Sequence, residues 1–202
     1  MYILQRTVMG RIFLPCSLVA ESKNSLQVEI LERTSISPSN VLIRKDENDS
    51  DEQTAIDENR LVLIDFEFGF YNYRALEISN TLAECGMTYG IEKHPFYEVN
   101  LDLMEDESLS RMFCGAYLDQ LYKDHDTLEK RKRHLLTSDR DEDLKMLMAE
   151  ARRFLPLQHF FWGIWNIICV QELGSIQGID FAAHAKDRFI MYYRFKSNMY
   201  NY

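Results

Sequence analysis

The rhythm of hydrophobic and polar positions changes once along the chain. Two short runs rich in Val, Ile, Leu and Phe, Asn40–Arg44 (NVLIR) and Leu61–Phe68 (LVLIDFEF), are bounded by polar segments and predict two strands. Between them, Lys45–Arg60 holds seven acids, two bases and no aromatic residue. That composition predicts a solvated acidic loop over 45–60 at the tip of a β-hairpin. After Tyr71 the period becomes helical. Leu109, Met112, Phe113, Ala116, Tyr117 and Leu121 recur at the spacing of one helix face, and so do Leu144, Leu147, Met148, Ala151, Phe154 and Leu155. The charge-dense stretch Lys123–Lys145 between them, with its EKRKRH run, reads as a solvated connector or as helix ends. Pro156 predicts an end to the second helix, with a new one from about Gln158 through Trp162 and Trp165. A last helix over about Phe181–Lys196 is expected to turn Phe189, Tyr192 and Tyr193 inward. The expected class is α+β, a short β-hairpin followed by a mostly helical subdomain. Residues 1–36 read as an atypical N-terminal segment and 37–202 as one lobe.

Composition narrows the function. The length, 202 residues, supports one or two modest domains with a real core. Acids outnumber bases 32 to 23, a net charge of −9, which argues against a general nucleic-acid binder because such a protein needs a basic footprint. The same balance is compatible with a cationic small ligand. Cys16, Cys85, Cys114 and Cys169 are scattered, with no CxxC pair and no zinc-type spacing, and are expected as reduced thiols of a cytoplasmic protein. Arg6 and Arg11 ahead of a short apolar run give the start a loose likeness to a secretory leader, but nothing downstream looks secreted. The longest apolar stretch, Phe160–Val170, has 11 residues, short of the ~20 that a membrane span needs. The five histidines show no metal or nucleophile-activating spacing and are expected mostly at the surface or at helix caps. His159 stands apart only because it precedes an aromatic block.

Candidate chemistry begins at Asp65. An acid inside a hydrophobic strand is costly to bury unless it is paired or binds a cation. Asn40 lies 25 residues upstream, at the entry to the paired strand. Two oxygen ligands at adjacent strand ends can share a magnesium ion with phosphate oxygens, although a turn Asn and a surface-facing Asp would leave the same pattern. Trp162 and Trp165 are one helical turn apart, so their rings project from similar sides, either into a core or around a cation.

The run LVLIDFEFGFYNYRALEISNTLAEC, followed by FFWGIW at Phe160–Trp165, closely resembles the choline/ethanolamine kinase family. The likeness extends from about Ser37 to Phe195. It covers Ile64–Phe68, Tyr71–Arg74, Glu77, Asn80 and Glu84 as well as the tryptophan block. The resemblance implies the C-terminal lobe of a protein-kinase-like fold. It also implies transfer of the ATP γ-phosphate to choline or ethanolamine, at the start of phosphatidylcholine or phosphatidylethanolamine synthesis. By the same resemblance, Asn40 and Asp65 would hold Mg²⁺. Trp162, Trp165 and Tyr89 would wall the ammonium site, with Glu84 as its negative partner. The phrases DFE and NYR lean toward choline kinases.

Several positions depart from the family pattern. Glu77 stands where the family has Asp, and Cys85 stands where it has Trp. The catalytic loop HNDxxxxN, counted back from Asn40, falls on Arg33, Thr34 and Ser35. A serine carries no charge and cannot act as the base near neutral pH. Only 39 residues precede Asn40, and Gly10 stands alone there, so the chain reads as truncated, without an N-lobe. The expectation is a kinase-family chain whose own turnover is put in doubt by Ser35. The alternative is a non-catalytic binding or dimerisation partner of an intact kinase, as a homodimer or heterodimer.

Overall fold

The computed structural model describes residues 30–33, 41–43, 61–64, 69–123, 137, 139–173 and 178–200. In chain order the elements are β1 (Ile30–Arg33), β2 (Val41–Ile43), β3 (Leu61–Leu63), β4 (Gly69–Asn72), α1 (Arg74–Cys85), β5 (Met87–Tyr89), β6 (Tyr97–Val99), α2 (Leu101–Glu105), α3 (Glu107–Lys123), α4 (Arg140–Leu173) and α5 (Phe181–Phe195). A 3-10 turn over Lys196–Met199 follows α5. The described part is mostly helical, with three two-stranded antiparallel ribbons.

The ribbon predicted from NVLIR and LVLIDFEF forms between β2 and β3, with Val41 opposite Leu63 and Ile43 opposite Leu61. Val41 and Leu61 pack against the main core. Two further ribbons carry no strong sequence signal. β1 pairs with β4, joining Ile30–Arg33 to the residues just before α1. β5 pairs with β6 inside the helical part, so strands are not confined to the front of the lobe as the sequence suggests.

The main core gathers Ile78 and Leu82 of α1, Phe113 and Leu118 of α3, and Leu147 and Ala151 of α4. The two apolar stripes read from the sequence supply most of it, because residues three and four apart share one helix face. Helix starts are capped locally. Asn100 accepts from the Leu103 amide at α2, Asp106 from Ser108 and Leu109 at α3, and Asp139 from Asp141 and Glu142 at α4.

Pro156 does not end a helix. α4 runs unbroken through it for 34 residues, and Pro156 is fully buried. An interior proline removes one backbone hydrogen bond and costs ~3 kcal/mol in an exposed helix. Here α4 packs along both α1 and α5, and that burial holds the helix through the break. Gly163 lets α5 approach closely, since a Cβ there would fall 3.0 Å from the Phe189 ring. Gly86 is tighter still, because a Cβ would meet the Asn100 carbonyl oxygen at 2.7 Å.

α5 also differs from its expected orientation. Its buried stripe is His184, Ala185, Arg188, Met191 and Phe195, while Tyr193 is 70% exposed and Phe189 and Tyr192 are only partly covered. Hydrophobicity alone selected the wrong face, because two polar side chains of the inward stripe find buried partners. Leu157, Phe160, Phe161, Ile164, Ile167 and Ile168 of α4 are all exposed. No helix among the described residues is long and apolar enough to cross a membrane.

Candidate functional site

Helix α1 is unusual in burying polar residues along its length. Glu77, Ser79, Asn80, Thr81 and Glu84 are each at most 5% exposed. Buried polar groups need partners. Ser79 and Thr81 donate to the Leu76 and Glu77 carbonyls of their own helix. Part of the remaining demand is met from α4 and α5. Gln158 Nε2 donates to the Leu76 carbonyl at 2.7 Å, and Trp162 Nε1 donates to Asn80 Oδ1 at 2.8 Å. Arg74, at the start of α1, forks onto both carboxylate oxygens of Glu150 at 2.9 and 2.7 Å.

Arg188 of α5 is the centre of the arrangement. It is 1% exposed, and every nitrogen of its guanidinium is engaged. Nη2 donates to Glu84 Oε1 at 2.5 Å and to the Tyr89 hydroxyl at 2.9 Å. Nε donates to His184 Nε2 at 3.2 Å, and Nη1 lies 3.4 Å from His159 Nδ1. The Tyr89 hydroxyl in turn donates to Glu84 Oε2 at 3.0 Å. Desolvation opposes the Arg188 charge, but Glu84 and Tyr89 together outweigh it and hold the group above its ordinary value. Burial, reinforced by the negative charge of Glu84, keeps the Tyr89 phenol protonated.

The two histidines are neutral for a geometric reason. His184 Nδ1 faces Asn166 Oδ1 at 2.9 Å, an acceptor, while its Nε2 accepts from Arg188. The ring therefore carries its proton on Nδ1. Burial and the adjacent guanidinium lower its pKa to about 3. His159 is fully buried and stacks on Phe195 at 5.6 Å, with its pKa driven well down by burial and by Arg188. Its Nε2 is a buried atom without a hydrogen-bond partner. The expectation of surface or capping histidines is thus corrected for His159 and His184, while His94 is exposed and pairs with Asp180 at 2.7 Å.

The β5–β6 ribbon is clipped onto α5 at three points. Tyr89 meets Arg188, Tyr97 donates to Asp187 at 2.7 Å, and His94 meets Asp180, the residue whose carboxylate caps α5 at the Ala183 amide. This fixes where Tyr89 stands. Asn166 completes the circuit by donating to the Trp162 carbonyl at 2.6 Å. A continuous chain of hydrogen bonds therefore runs from Trp162 through Asn166, His184 and Arg188 to Glu84 and Tyr89.

Among the sequence-predicted residues, Glu84 and Tyr89 bond to each other and to Arg188, whereas Trp162 enters this network only through its backbone carbonyl and its indole bonds to Asn80. Trp165 sits one turn further along α4 and is 38% exposed. Ser35, Asn40, Asp65 and the acidic stretch 45–60 lie outside the described residues. Cys85, Cys114 and Cys169 are buried thiols. Burial, with Glu84 alongside, pushes Cys85 up to about 12, so it offers no thiolate at neutral pH. Among the described residues no group of three or more His, Cys, Asp and Glu is arranged to hold a metal ion.

Sequence reasoning missed Arg188, His184 and Asn166. The available signal was a charged residue lying on an otherwise inward helical stripe, His184, Arg188, Met191 and Phe195, which a solvent-facing reading cannot accommodate.

Comparison with known proteins agrees with this architecture. The sequence profile described as choline/ethanolamine kinase matches residues 23–193. Choline kinase A2 of Caenorhabditis elegans is 34% identical over 143 residues, covering 70% of this chain and 30% of that protein. Choline kinase alpha of Mus musculus is 29% identical over 137 residues, covering 68% and 28% respectively. The chain therefore spans about 30% of the length of the curated relatives it matches. The crystal structure of choline kinase from Cryptosporidium parvum superposes with a TM-score of 0.61 at 20% identity, over 85% of this chain and 39% of that one, which supports the fold. With the profile covering most of its length, and with Glu77, Asn80 and Glu84 on α1 and the Phe160–Trp165 block on α4, the chain belongs to the choline/ethanolamine kinase family.

Proposed function

We propose that this chain is the part of a choline/ethanolamine kinase that binds the onium headgroup, built as the C-terminal lobe of a kinase-like fold. The observation that carries the reading is the anchoring of two aromatic rings by their polar tips. The Tyr89 hydroxyl is held between Glu84 and Arg188, and the Trp162 indole N–H is held by Asn80. Rings fixed in this way lose little freedom when a cation settles on a π-face. Glu84 has a second task here. A buried guanidinium beside the proposed site would repel an onium group, and Glu84 cancels that charge.

In this reading Trp162, Trp165 and Tyr89 wall the site. Asn40 and Asp65 would hold Mg²⁺, which neutralises charge on the ATP phosphates when bound. Ser35, at the position of the family's base, predicts turnover far below that of an intact kinase. A cytoplasmic location follows from the same reading. The deciding experiment is a phosphotransfer assay on this chain with ATP, Mg²⁺ and either choline or ethanolamine. Any turnover should be metal-dependent and abolished by Asp65→Ala. Unchanged turnover in that variant removes Asp65 as the metal ligand.

Binding is tested separately by titrating choline while following tryptophan fluorescence. Trp165→Ala is expected to weaken affinity by ~1–2 kcal/mol, the scale of a desolvated cation–π contact. Equal affinities would reduce Trp165 to a surface residue. A second reading, a non-catalytic partner of an intact kinase, is favoured by the exposed apolar residues along the second half of α4. Co-purification with a full-length family kinase would support it, and a strictly monomeric chain that ignores choline would exclude it.

A further inference from the structure

A second concave site lies apart from the Arg188 cluster and shares no residue with it. A cavity of about 400 Å³ is lined by Glu107 and Arg111 of α3, Lys145, Arg152 and Arg153 of α4, and Asn198 of the closing 3-10 turn. Met148, which also lines it, is buried. Four of these side chains are cationic and one is anionic, so the lining carries a formal charge of +3 in a chain whose total is −9. That local reversal is not what a chain of this composition places on its surface by default.

Helix geometry accounts for the concentration of charge. Lys145, Met148, Arg152 and Arg153 recur at helical spacing along one side of α4, and Arg111 follows Glu107 by one turn on α3. Glu107 then acts as a brace. One of its oxygens lies 3.3 Å from Arg111 Nη2 and the other 3.8 Å from Arg152 Nη2, so a single carboxylate holds two guanidiniums from different helices side by side. Each guanidinium has five N–H donors, so both keep donors to offer after meeting Glu107. The neighbouring acid on α4, Glu150, is engaged by Arg74 and does not cancel this charge.

We propose that this cavity binds a small, soluble, multivalent phosphate. Paired guanidinium forks match phosphate oxygens in spacing and planarity, and an excess of three positive charges suits an anion carrying more than one. A recess of this size between helices suits a small molecule better than a flat membrane surface does. The site stands independently of the choline-binding reading.

The test is calorimetric titration of inorganic pyrophosphate into the full chain, in buffer containing EDTA. Excluding divalent ions keeps any metal-assisted binding of pyrophosphate near Asp65 out of the signal. Saturable one-site binding is expected, weakening as salt is raised. It should be reduced by about tenfold or more in Arg111→Gln/Arg152→Gln. Both arginines are about half exposed, so thermal melting of the double variant should match wild type. Absence of binding, or equal affinity in wild type and double variant, overturns the proposal. A parallel flotation assay uses vesicles containing phosphatidic acid. Vesicle binding without pyrophosphate binding would assign the charge to a lipid headgroup and likewise overturn the soluble-ligand proposal.

Discussion

Replacing Arg188 with methionine should destabilise the fold by ~3–5 kcal/mol, the usual consequence of removing one member of a buried ion pair. Methionine fills much of the arginine stem but returns none of its donors. Glu84, 5% exposed, would be left as a buried carboxylate without its counter-charge. The Tyr89 hydroxyl would lose a donor, and His184 Nε2 would lose the N–H that it accepts from. The double variant Arg188→Met/Glu84→Gln separates this loss from simple repacking. With both charges gone, no ion remains to desolvate, and the double variant should be more stable than the sum of the single losses by ~1–3 kcal/mol. Urea unfolding of wild type, both single variants and the double variant measures that coupling. Strict additivity would mean that the two residues do not share one electrostatic unit.

Acidification to pH 4.5 should remove about 3 kcal/mol of stability for each of the two buried histidines. Both are neutral in the fold. His184 is lowered to about 3 by burial and by Arg188, and His159 is also well below its ordinary value for the same two reasons. In the unfolded chain each imidazole takes up a proton near pH 6.5. Below that pH the unfolded state binds more protons than the folded one, so stability falls as pH falls, and it is fully present only above about 6.5. The groups facing His184 offer no relief. Arg188 is a cation, Asn166 presents an acceptor to an already protonated Nδ1, and the Tyr89 and Tyr97 rings meet it edge-on at 5.8 and 4.7 Å. Glu84 is committed to Arg188 and Tyr89.

Asp143 and Asp180 are held below the ordinary carboxylate value, so their contribution is lost only at more acidic pH, beneath this window. Urea unfolding at several pH values between 7.5 and 4.5, a range set by the ordinary imidazole value, should therefore show a slope approaching two protons. His184→Asn should lower that slope by about one proton, whatever it costs in absolute stability. A flat profile would contradict two neutral, buried imidazoles.

The local elements were legible for local reasons. The stripe at Leu109, Phe113 and Leu121 and the one at Leu144, Leu147 and Ala151 are written in helical spacing, and those residues form the core. The β2–β3 pairing could be read because both strands are short apolar runs bounded by polar segments. The motifs around Asp65, Asn80, Glu84 and the two tryptophans placed the chain in its family because a motif is a contiguous string. Where the reading went astray, tertiary contact overrode a local rule. Pro156 is an effective breaker by itself, yet α4 continues through it, packed against α1 and α5. Phe189, Tyr192 and Tyr193 are the apolar choice for burial on α5, yet His184 and Arg188 go inward.

The sequence by itself determined the family, the helical periodicities and the identity of the aromatic and acidic residues available for an onium site. Only the tertiary structure decided what those residues touch. Glu84 and Arg188 are 104 positions apart, and no periodicity or composition relates them. Their pairing exists because the packing of α4 against both α1 and α5 brings two separately unfavourable buried charges to within 2.5 Å. At that separation in a poorly polarisable interior, each ion supplies the partner that the other has lost from water.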